Sequence, residues 1–137
     1  METTAFESRH ISTRIARPVA DVYAYASNPA NLPEWAEGLG DTIEKIDGQW
    51  VAESSPMGRV VVVFAPGNEF GVLDHDVTLP SGEVVHNPMR VIADDTGGCE
   101  VLFTLRRQPG MTDERFQRDA DMVAGDLAAL KRVMERA

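Results

Sequence analysis

Asp74-His75-Asp76 is the densest grouping of chemistry-bearing side chains in the sequence, set within FGVLDHDVTLP at residues 70–80. Two carboxylates around an imidazole could hold a metal or relay a proton. Leu73, Val77 and Leu79 around them suggest a strand instead, and strand side chains alternate between two faces. Gly71, Leu73, His75, Val77 and Leu79 then share an apolar inward face, while Asp74, Asp76 and Thr78 look toward solvent. Metal ligands must converge on one point, which neighbours on opposite faces cannot do, so no metal is expected. The single cysteine, Cys99, can form neither an internal disulfide nor a multi-cysteine metal site. No Gly-rich phosphate loop, Ser-His-Asp order or Cys-His pairing is visible, and no cofactor is expected. Of the three histidines, His10, His75 and His86, only His75 is placed to matter.

The residues that follow supply His75 with a neighbour. Pro80-Ser81-Gly82 suits a three-residue hairpin loop, with proline at the first turn position and glycine at the left-handed one. Leu79 then opposes Glu83, Val77 opposes Val85, His75 opposes Asn87, Leu73 opposes Met89 and Gly71 opposes Val91. A two-residue loop would set His75 against Pro88 and bring Arg90 onto the apolar face. The first register leaves one polar pair, His75 and Asn87, at mid-strand on a greasy surface. Two roles are open to it: the side chains satisfy one another beneath a helix, or they are the polar anchors of an apolar pocket. On the second reading the lining is Leu73, His75, Val77, Asn87, Met89, Phe103 and Phe116. Asp119, about 60° off the centre of a helical stripe at 3.6 residues per turn, stands at its margin.

These residues need a scaffold, and the patterning supplies one. Residues 6–16 read as a first strand. ARPVADVYAYASNP gives a short helix with Val19, Val22, Tyr23 and Ala26 on one face, ended at Asn28-Pro29. Asn28 can cap a second short helix that runs toward Trp35. Six strands follow at 40–46, 49–54, 59–65, 70–79, 83–93 and 99–107, separated by Asp47-Gly48, Pro56-Met57-Gly58, Pro66-Gly67-Asn68, Pro80-Ser81-Gly82 and Gly97-Gly98. Such short connections imply an antiparallel meander. From Thr112 the period changes: Phe116, Ala120, Val123, Leu127, Leu130 and Met134 form one stripe along a helix of six to seven turns. A lone helix with one apolar face must bury it against the sheet. The expectation is a single α+β domain over 1–137, with a curved seven-stranded antiparallel sheet wrapped round the long helix.

Composition narrows the partners. Thirteen Lys and Arg against 22 Asp and Glu leave a formal charge of −9, which repels phosphate backbones. No basic cluster overrides it, so nucleic acid is not an expected partner. No segment is apolar for long enough to span a membrane or serve as a signal peptide, and a cytoplasmic protein is expected.

The order of elements, with RPVADVYAYASNPANLPEW at 17–35, resembles the SRPBCC superfamily, which includes birch-pollen-allergen-like proteins, START domains and polyketide cyclases. The resemblance implies the helix-grip fold and the binding of hydrophobic small molecules between sheet and long helix. It implies no reaction, because the superfamily shares no catalytic signature. Three functions therefore fit the sequence. The first is a binding or carrier protein for a lipid, polyketide or isoprenoid-like molecule. The second is a cyclase- or aromatase-like enzyme with His75 as general acid or base, since an imidazole titrates near neutrality. The third is a partner-binding module whose interior is filled by side chains.

Overall fold

The computed structural model describes residues 7–36, 39, 42–54 and 58–136. Phe6, residues 40 and 41, the Pro56-Met57 half of one expected turn, and the ends of the expected 1–137 domain lie outside the described residues. The elements are β1 (Ser8–Ile15), α1 (Val19–Ala26), a 3-10 turn (Pro29–Asn31), α2 (Leu32–Trp35), β2 (Thr42–Ile46), β3 (Gln49–Ser54), β4 (Gly58–Phe64), β5 (His75–Thr78), β6 (Val84–Asn87), β7 (Met89–Ala93), β8 (Cys99–Arg106) and α3 (Asp113–Arg136).

Side-chain caps open the 3-10 turn and α3. The Asn28 side chain accepts the Ala30 N–H at 3.1 Å and so caps the turn that leads into α2. Thr112 Oγ1 accepts the Arg115 N–H at 3.1 Å, and Asp113 and Glu114 occupy the positive end of α3. On α3 the buried residues are Phe116, Ala120, Leu127, Leu130 and Met134, with Val123 half-buried among them. The helix lays this stripe chiefly against β1, β8 and α2.

The strands run β2-β3-β4-β5-β6 in one ladder and β1-β8-β7 in the other, antiparallel throughout. Segment 71–73 joins them. Leu73 N–H donates to Met89 O at 2.9 Å and Val91 N–H to Gly71 O at 2.9 Å, with Val72 bridging to Arg90. The seven expected strands are therefore present, with two corrections. The run 83–93 is divided into β6 and β7 at Pro88, which has no N–H to give a ladder. Residues 70–74 are not regular strand, because Gly71 takes φ 72°. A Cβ at that position would overlap the Val91 carbonyl oxygen, so only glycine lets the two segments approach.

Ahead of β5 the chain is shaped by one side chain. Asn68 Oδ1 accepts the N–H groups of Phe70 and Val72 at 2.9 and 3.0 Å, and its Nδ2 donates to the carbonyls of Pro66 and Val72. Tyr23 Oη accepts the Asn68 N–H at 3.0 Å and ties this loop to α1.

Candidate functional site

The expected hairpin register is found. Leu79 N–H donates to Glu83 O at 2.8 Å, Gly82 takes φ 93°, and His75 pairs with Asn87 and Val77 with Val85. Gly71, Leu73, His75 and Val77 are buried, and Val72, Asp74, Asp76 and Thr78 alternate with them. Met89 pairs with Phe103, placing both on the same inner face. His75 and Met89 therefore share one side of the sheet, as the register requires.

His75 is 6% exposed and lies among rings. Its imidazole stacks on Phe64 with centroids 4.8 Å apart and planes 26° apart, and meets Phe103 edge-on at 6.0 Å. Burial holds its pKa below the usual imidazole value, against smaller opposing effects from the Leu73 carbonyl and from Asp74 and Asp76. The ring is thus neutral near pH 7. Nδ1 lies 3.0 Å from Leu73 O. A carbonyl only accepts, so the proton is on Nδ1 and Nε2 presents a bare lone pair.

Of the two roles open to His75 and Asn87, mutual side-chain pairing is not made. The two residues face each other across the ladder, yet His75 takes Leu73 O. The Asn87 amide, half-buried, forms no hydrogen bond among the described residues. The cause lies at Pro88. In a regular antiparallel pair, Met89 N–H would return a bond to Leu73 O. Here Met89 N–H donates to Asp74 Oδ1 at 2.8 Å, and Leu73 O is released to His75.

Asp74 therefore does more than face water. It sits on the outer face as expected, but its carboxylate holds Met89 N–H and pairs with Arg90. Asp76 follows the solvent-facing expectation more closely. It is half-buried, with its carboxylate 2.6 Å from Nδ1 of His86, its cross-strand neighbour.

The remaining expected residues fall in two groups. Leu73, Val77 and Met89 are buried in the core that includes Val60, Val62 and Leu127, and Phe103 packs half-buried against it. Phe116 is fully buried beneath two guanidinium groups, Arg9 at 4.8 Å and Arg107 at 5.7 Å from its ring centre. It borders an open surface cleft of about 790 Å³ that also touches Arg9, Arg107 and Gln117. A second surface cleft, of about 450 Å³, lies along the C-terminal half of α3 near Glu34. Neither is lined by Leu73, His75, Val77 or Met89. Asp119, one quarter exposed, lies 3.7 Å from Arg115 on the flank of α3. Among the described residues no cluster of three or more His, Cys, Asp or Glu could hold a metal ion. No described helix is long and apolar enough to cross a membrane.

Sequence reasoning missed Phe64 as the stacking partner of His75 and Asp74 as the bracket of β7. The second was signalled, since in the derived register Asp74 stands opposite Pro88, where a ladder must find a substitute.

No family model matches the chain, and no curated protein matches it in sequence at a significant level. Solved structures do match in shape. A protein from Bacillus thuringiensis superposes with TM-score 0.73 at 12% identity, covering 93% of this chain and 98% of that one. Ara h 8.0201 follows at 0.68 and 15%, covering 97% and 100%. Truncated norcoclaurine synthase from Thalictrum flavum gives 0.65 and 14%, covering 97% and 96%. At such identities the likeness shows the fold alone, and over nearly the whole chain that fold is the expected helix-grip architecture.

Proposed function

We propose that the protein binds and carries a small hydrophobic molecule at the inner face of the sheet. Leu73, Val77, Met89 and Phe103 would form its walls, and His75 and Asn87 its polar anchors. The observation that carries this reading is that this pair is left free to bind something else. A neutral imidazole offers an acceptor at Nε2, and a half-buried amide offers both donor and acceptor. They face one another on an aromatic and aliphatic surface without bonding to each other. Apolar walls with a few placed polar groups are what a small-molecule site requires. Phe116 and Asp119, at the N-terminal end of α3, would border the site.

A norcoclaurine synthase has been solved with dopamine and hydroxybenzaldehyde bound. Its fold, at 16% identity, thus accommodates small aromatic molecules, and that fact belongs to that protein. Acid–base catalysis in this chain would require a second ionisable group beside His75. Asp74 and Asp76 stand on the opposite face of β5, which favours binding over reaction.

The test is native mass spectrometry of protein purified from its own host, followed by mild unfolding to release any adduct. A stoichiometric apolar molecule that also raises the melting temperature supports the reading. Absence of an adduct, together with no thermal shift from a panel of hydroxylated aromatic and terpenoid compounds, overturns it.

A further inference from the structure

Trp35 carries the one buried side-chain nitrogen or oxygen, among the described residues, with no hydrogen-bond partner: its indole Nε1. The residue is 5% exposed, so bulk water does not reach this N–H. α2 packs against α3 and β2, and Trp35 joins a continuous interior with Leu32, Ala52, Val60, Val62, Leu127 and Leu130. None of those side chains has a polar atom. An indole N–H is a donor only, and burying a donor away from water without an acceptor is unfavourable. Buried polar groups in native proteins are nearly always satisfied, so this one calls for a physical cause. A phenyl ring would keep most of the apolar packing without the unmet donor. The indole N–H itself contributes only when an acceptor reaches it.

We propose that Trp35 is a specificity-determining residue of the binding site, donating its indole N–H to a carbonyl oxygen of an otherwise apolar ligand. The proposal rests on the carrier reading above and narrows its substrate class to ketones and related carbonyl compounds, as against hydrocarbons. The donor at Trp35 and the acceptor at His75 Nε2 serve different ends of the ligand. β2, beneath Trp35, and β5, which bears His75, are three strand spacings apart, about 14 Å across the sheet. A molecule with a carbonyl at one end and a hydroxyl at the other meets both groups with the complementary polarity.

The test uses two probes of similar shape, 2-acetylnaphthalene and 2-isopropylnaphthalene, titrated into the full chain and into Trp35→Phe. The indole N–H is followed by proton–nitrogen NMR. The ketone is expected to bind the parent protein about tenfold more tightly than the hydrocarbon and to shift the Trp35 indole resonance downfield. Trp35→Phe should erase that preference, so that ketone and hydrocarbon bind the variant with equal affinity. Equal affinities for the two probes in the parent overturn the proposal and leave the carrier reading standing. So does an indole resonance that stays put at saturating ketone, as it would if a retained buried water held the N–H, or a preference that survives Trp35→Phe. Failure of both probes to bind, with no co-purified molecule, overturns both.

Discussion

The Asp74 carboxylate receives the backbone N–H of Met89 at 2.8 Å and so takes the place that the Leu73 carbonyl holds in an unbroken antiparallel ladder. The exchange starts β7 after Pro88 and frees Leu73 O for His75, linking an outer-face aspartate to the tautomer of an inner-face histidine.

Asp74→Ala should therefore cost about 1–3 kcal/mol, the penalty for leaving a largely buried N–H unmet. Asp74→Asn keeps an acceptor oxygen and loses only the charge opposite Arg90, a partly exposed pair, so about 0–1 kcal/mol is expected. Asp76→Asn should stay within about 0.5 kcal/mol. Urea unfolding of the three variants checks the order, and equal effects at both aspartates would contradict the bracket.

Stability should fall on acidification through His75. Its folded pKa lies below the unfolded value of about 6.5. Between the two values the unfolded chain binds more protons, so stability is fully present above about pH 6.5 and declines below it until the folded pKa is passed. The slope cannot exceed about 1.4 kcal/mol per pH unit for one group. Burial is the main cause of the shift, Asp74 and Asp76 oppose it, and His86 adds to it. Denaturation midpoints of the parent and His75→Phe from pH 8 to 5 should converge or cross as pH falls, and parallel curves would show that the histidine is not responsible.

Gly71→Ala should destabilise by more than about 1 kcal/mol, since it adds both a positive-φ penalty and an overlap with the Val91 carbonyl. Gly125→Ala, exposed in mid-helix with open space around its Cα, should stabilise by about 0.5–1 kcal/mol. Thermal melts of the pair read the contrast directly, and a neutral Gly71→Ala would show that the 71–73 segment can move away from β7.

Asn87→Leu should leave the unliganded protein as stable as the parent, because the amide has no bond to lose among the described residues. It should weaken a hydroxylated ligand by about tenfold, one hydrogen bond's worth. A calorimetric titration beside a urea melt separates the two effects. Lost stability with unchanged affinity would make Asn87 structural.

The sequence by itself determined what depends on local period and turn chemistry. Alternation in 70–79 put His75 inside and its aspartates outside, and Pro80-Ser81-Gly82 set the register that brings Asn87 opposite. The 4-3-4-3-4 stripe from Phe116 to Met134 defined α3, and Asn28 and Thr112 were legible as caps. Faces and register follow from the 2.0 and 3.6 periods, which any window of the chain displays. Only the tertiary structure decided which partner each polar group takes. Whether His75 bonds Asn87 was open in the sequence, and the loss of one N–H at Pro88 sent Met89 to Asp74 and His75 to Leu73. Phe116 read as a wall of the interior, and folding covered it with Arg9 and Arg107, residues 107 and 9 positions away along the chain. Trp35 marked only the end of the second short helix in the sequence, and the folded core alone reveals that its N–H is buried without an acceptor. Hydrogen bonds are short and directional, so a single missing donor reroutes them. Burial patterns average over many contacts, and for that reason they survive being read from sequence alone.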